Sequence, residues 1–106
     1  MQVTNSHILH QPGPDCLHIA DSKAKAQLYT FEVPLLAFSA FESEYLYLWL
    51  FTSTGVTLLK DGRQVVEKQF KLAAVEQTLF YEAGKYLVLL FCTETTFYRL
   101  TYNKEK

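Results

Sequence analysis

One stretch of this chain is written twice. Residues 45–59 read YLYLWLFTSTGVTLL and residues 86–100 read YLVLLFCTETTFYRL, which places Tyr45 on Tyr86 at an offset of 41 residues. Identical residues fall at 45/86, 46/87, 48/89, 52/93, 54/95 and 59/100, and Trp49/Leu90, Leu50/Phe91 and Val56/Phe97 keep apolar against apolar. Upstream, Val33 and Phe38 match Val75 and Phe80 at an offset of 42, so one residue is gained or lost in the intervening turn. A repeat of this period implies one supersecondary unit that cannot bury its apolar face alone and stacks on its neighbour. That constrains the fold more than any other feature.

Each copy carries the same segments. The first is a strand at 35–38 or 75–81, and a polar turn follows, Glu42-Ser43-Glu44 or Glu82-Ala83-Gly84-Lys85. A dense apolar strand comes next, then a Thr/Ser-rich turn and a third strand at 56–59 or 97–101. In the first copy Lys60-Asp61-Gly62-Arg63 reads as a further hairpin turn, because Asp-Gly favours positive φ, and residues 64–70 become a fourth strand. Four antiparallel strands in about 41 residues is the period of a β-propeller blade. The central strand of each copy is apolar at consecutive positions, which predicts a sheet covered on both faces. A competing reading sets Leu72, Val75, Leu79 and Ala83 at helical spacing before Gly84, giving a small α+β domain with a helix at 68–83. Thr78-Leu79-Phe80-Tyr81 and the absence of a helix from the first copy favour the strand.

The predicted organisation is a polar lead-in loop at 1–16, a partial blade at 17–32, blade-like repeats at 33–72 and 73–102, and a polar tail at 103–106. The lead-in ends in the turn-rich Pro12-Gly13-Pro14-Asp15. The 17–32 segment is a hairpin in which residues 17–20 and 27–31 flank the turn Asp21-Ser22-Lys23. The fold class is therefore all-β, about two and a half antiparallel four-stranded blades of an incomplete propeller. A complete propeller needs at least about four blades. The expectation is a chain that is the N-terminal piece of a longer polypeptide, or one whose open blade edge is covered by protein partners.

The resemblance lies in 75–100. An apolar strand closes through a polar turn on Gly84-Lys85-Tyr86-Leu87, and a final aromatic strand, Phe97-Tyr98-Arg99-Leu100, completes a unit that resembles a WD40-type blade. Gly-His and Trp-Asp pairs are missing, so the tetrad of regular WD40 blades does not carry over. The chain looks like a degenerate propeller, similar to the N-terminal propellers of vesicle-coat, tethering and kinetochore scaffolds. The run Glu82-Ala83-Gly84-x-Tyr86-Leu87-Val88 also bears a faint resemblance to the N-terminal region of the Hermansky–Pudlak syndrome 3 proteins, which are trafficking-complex subunits. Such families imply protein–protein contacts without catalysis.

Candidate chemistry is sparse, and no catalytic, cofactor-binding or metal residue is assigned. His7, His10, Cys16 and His18 are zinc-type donors within twelve residues, but their spacing matches no standard finger. Cys92 lies mid-strand in an apolar run, where a thiol is expected to be buried and inert. Glu42 and Glu44 read as a solvated pair in a turn, and four glycines supply no phosphate loop. A net charge of −1 with scattered Lys and Arg argues against nucleic acid. The longest apolar runs are far below the roughly 20 residues of a membrane span, and no secretory signal is visible, so a cytoplasmic protein is expected. The function expected is a non-enzymatic interaction scaffold, the N-terminal propeller part of a multiprotein, membrane-trafficking type of complex. The alternative is a self-contained α+β adaptor binding a partner protein.

Overall fold

The computed structural model of the chain describes residues 1–23 and 25–105. Three antiparallel sheets follow one another in sequence, with no helix among the described residues. The first sheet contains β1 (Gln2–Val3), β2 (His7–Gly13), β3 (Cys16–Asp21) and β4 (Ala26–Thr30) in that spatial order. The middle sheet contains β5 (Leu35–Glu42), β6 (Leu46–Thr52), β7 (Gly55–Lys60) and β8 (Arg63–Gln69), again in order. The last sheet has three strands, β9 (Gln77–Ala83), β10 (Tyr86–Cys92) and β11 (Phe97–Asn103), with β10 in the centre. The fold is all-β, and meanders of four, four and three strands are consistent with a series of incomplete blades.

The doubly apolar strand explains the stacking. Along β6 the residues alternate between faces, as a pleated strand requires. Leu48 and Leu50 join Leu9, Leu17, Ile19, Leu35 and Phe38 in a core shared with the first sheet. Tyr47, Trp49 and Phe51 join Phe80, Leu87, Leu89 and Phe91 in a second core shared with the last sheet. The middle sheet is thus buried on both sides, and β6 needs no polar face.

Turn chemistry fixes the registers. Asp61 (φ 49°) and Gly62 (φ 84°) are the two central residues between Lys60 and Arg63, the type I′ arrangement that matches strand twist. Gly84 (φ 62°) leads the two-residue turn joining Ala83 to Tyr86. Glycine tolerates that positive φ where a Cβ would be strained.

One alternative is excluded and one expectation is corrected. Residues 68–83 are not a helix: they finish β8, cross a loop and enter β9. Leu72, which supplied part of the helical spacing, is a buried loop residue whose N–H donates to Ser53 O (3.1 Å). Residues 1–16 are not a lead-in loop, because they carry β1 and β2. Leu9 is fully buried opposite Ile19, and the turn-rich Pro12-Gly13 only shifts the register at the end of β2. The 17–32 hairpin is therefore the outer half of a four-stranded sheet, and β11 extends one residue past 102.

Candidate functional site

The last sheet presents the feature with most functional content. Its inward residues, Phe80, Leu87, Leu89 and Phe91, face the middle sheet. The alternate residues form the opposite face, where the register aligns Tyr81 with Val88 and Thr101, Leu79 with Leu90 and Arg99, and Gln77 with Cys92 and Phe97. Several large side chains there are open to solvent: Leu79 is 56% exposed, Tyr81 36%, Tyr86 41% and Phe97 89%. A shallow hollow of about 300 Å³ runs between Leu79, Leu90, Cys92, Phe97 and Arg99. Contiguous exposed apolar residues on one face mark an interaction surface more often than isolated ones do. Cys92, expected as a buried thiol, is half-buried on this face.

Beside that face runs a free strand edge. The first and middle sheets each have a fourth strand, whereas among the described residues β11 pairs only with β10. The middle sheet's edge strand β8 carries Arg63, Glu67 and Lys68 and has a register irregularity against β7, both devices that discourage further pairing. Strand β11 has one charge, Arg99, before its last residue, together with Phe97, Tyr98, Leu100 and Tyr102. Strand β4 at the edge of the first sheet carries no charge, so among the closing strands of the three sheets β11 is one of two lightly charged edges.

A polar cluster that the sequence did not reveal lies between the first two sheets. Glu42 ends β5 with its carboxylate only 12% exposed. It accepts Thr4 Oγ1 (2.6 Å), Ser6 N–H (2.9 Å) and the Ser6 hydroxyl, and lies 3.1 Å from His7 Nδ1. Burial opposes its charge, but the hydrogen bonds from Ser6, Thr4 and His7 outweigh that and hold the carboxyl at about 2. Glu42 is therefore not one of a solvated pair. Serine, histidine and carboxylate meet here, yet not as a catalytic relay. Both Ser6 Oγ (3.1 Å) and Glu42 approach the same ring nitrogen, His7 Nδ1, while the serine hydroxyl donates directly to the carboxylate. A triad needs the imidazole to bridge serine and acid through its two different nitrogens. The cluster clamps the β1–β2 turn to the end of β5.

The remaining zinc-type donors are separated by the fold. His10 and His18 lie opposite each other on the exposed face of the first sheet, while His7 turns the other way. Cys16 pairs with Gly13 at the far end. No group of three or more His, Cys, Asp or Glu comes together for a metal among the described residues. A cleft of about 230 Å³ separates the first two sheets, floored by Ile19, Leu46, Leu48 and Leu59 and rimmed by Asp21 and Asp61. Both rim carboxylates are engaged: Asp21 accepts the N–H groups of Lys25 and Lys23 (2.9 Å each), and Asp61 accepts that of Leu46 (2.9 Å). The Lys25 N–H foremost, and that of Lys23, hold the Asp21 carboxyl below its usual range.

No family model matches the chain, and no curated protein or solved structure does either. No helix is long and apolar enough to cross a membrane among the described residues.

Proposed function

We propose that the chain is a non-enzymatic protein-interaction scaffold, working through the outer face of the last sheet and the free edge of β11. The observation that carries this reading is Leu79, Tyr81, Tyr86 and Phe97 exposed together on the outer face of the last sheet. Burying such a surface against a partner is favourable at about 25 cal/mol per Å² of apolar area. The engaged state of the carboxylates at Glu42, Asp21 and Asp61 favours structural over catalytic duty. In this reading the three sheets are blades of an incomplete propeller of the degenerate WD40 kind, and the cytoplasmic face of a trafficking-type complex is the setting its resemblance favours.

Site-specific photo-crosslinking in cells tests the proposal. A photoreactive residue replacing Phe97 should capture protein, whereas one replacing Lys68 on the protected edge should not. Equal capture at both positions, or none at 97, would remove the basis of this reading.

A further inference from the structure

The faces of these sheets have a direction. Leu46, Leu48 and Leu50 of β6 pack back toward the first sheet. Tyr47, Trp49 and Phe51 pack forward onto the last. At the offset of 41 residues, Leu87, Leu89 and Phe91 stand where Leu46, Leu48 and Leu50 do, and they also pack back, onto the middle sheet. Val88, Leu90 and Cys92 are therefore the counterparts of Tyr47, Trp49 and Phe51, whose partner is the backward face of the following sheet. The outer face of the last sheet is shaped by the same pattern to receive a backward face. This chain has one backward face left uncovered, on the first sheet. There Val3 is 70% exposed, Ile8 50% and Leu28 62%, in register with Ala20, Ala26 and the His10–His18 pair.

The sheets also follow one another in a fixed order of strands. Gln2 of β1 donates its side-chain amide to Phe38 O (2.6 Å) and accepts Ala40 N–H (2.8 Å), so β1 lies against β5. Strands β5 and β9 make the closest approach between the middle and last sheets. First strand thus lies beside first strand from one sheet to the next. The molecule measures 40 × 34 × 20 Å, one dimension twice another, as in half a disc. Closed propellers have about four to eight blades, and six is the one multiple of three in that range.

We infer that the partner of the last sheet's outer face is the first sheet of a second copy, two chains closing head to tail into a ring of six sheets. The inference rests on the reading of that face as an interaction surface. The contact is heterologous, forward face to backward face, and a two-fold axis makes it twice in one closed ring.

Sedimentation equilibrium of the whole chain and two variants tests it. Leu79→Glu alters the forward face and Leu28→Glu the backward face, both at exposed positions, with Ile8→Glu as a second backward-face variant. Circular dichroism checks that each stays folded. The wild-type chain should have twice the 12.3 kDa mass, and each variant alone should have the mass of one chain. An equimolar mixture of Leu79→Glu with Leu28→Glu should regain the mass of two chains, because each keeps the face the other lacks. A wild-type monomer at its highest soluble concentration overturns the inference, as does a dimer of Leu28→Glu, which would show forward faces pairing with each other. Capture of a different protein at position 97, with no capture of this chain, overturns it too while leaving the interaction surface standing.

Discussion

The two interfaces that hold this molecule together are made differently. Between the first and middle sheets the buried core is leucine and isoleucine with one aromatic, Phe38, and polar side chains stitch its margin. Gln2 reaches Phe38 and Ala40, Gln11 reaches Leu35 O (2.9 Å), and Thr4, Ser6 and His7 surround Glu42. Between the middle and last sheets the contacts are aromatic. Phe51 meets Phe91 edge-on at 5.0 Å, Phe70 just after β8 stacks on Tyr98 at 5.6 Å, and Tyr47, Trp49 and Phe41 meet Tyr102 and Phe80. The first interface should respond to charge and hydrogen bonding, the second to side-chain volume. Aromatic pairs contribute about 0.5–1.5 kcal/mol beyond their buried area, but only when the rings are present and correctly oriented.

The largest expected effect falls on the aromatic interface. Phe51→Ala should cost about 3–5 kcal/mol in chemical denaturation, since Phe51 is fully buried and meets the Phe91 ring of the opposite sheet. Next comes the polar clamp. The Glu42 carboxyl sits at about 2 in the folded chain against an ordinary value of 4.5. Its stabilisation is present above about pH 4.5 and disappears as the pH falls toward 2, a loss of up to about 3 kcal/mol. Glu42→Gln should flatten that part of the stability–pH curve, and hydrogen exchange should rise in β1 and β2 before β10. An unchanged acid slope would refute the clamp. Gln2→Ala should cost about 1–2 kcal/mol through its two lost bonds to β5. The smallest effect is at Trp49, whose buried indole N–H has no partner among the described residues. Trp49→Phe removes that unpaired donor along with some volume, so denaturation should shift by no more than about 1 kcal/mol.

The same contrast governs what could be read from the sequence. The middle and last sheets were legible because β6 and β10 carry apolar residues on both faces and their hairpins carry Asp-Gly and Gly-Lys. The first sheet was legible only in its outer half. Strand β2 has one large buried apolar residue, Leu9; its other inward positions, His7 and Gln11, meet Glu42 and Leu35 O instead of an apolar core. A strand whose inward face is satisfied by hydrogen bonds looks like a loop to any reading of hydrophobic period. Glu42 was missed for the same reason, since its partners lie more than thirty residues away in sequence. The exposed face of the last sheet was anticipated as an uncovered blade end, but not in its residues. The residues that make it, Leu79, Tyr81 and Phe97, read as ordinary strand residues until the registers place them on one side.

The claim that this face is an interface can be tested at its own centre, because Cys92 lies in the hollow beside Leu79 and Phe97. Thiol labelling of the intact assembled protein, resolved by mass spectrometry at Cys92, compares the wild-type chain with Leu79→Glu. Slow labelling in the wild type and rapid labelling in the variant is the predicted result. Rapid labelling at the same rate in both would contradict a covered face.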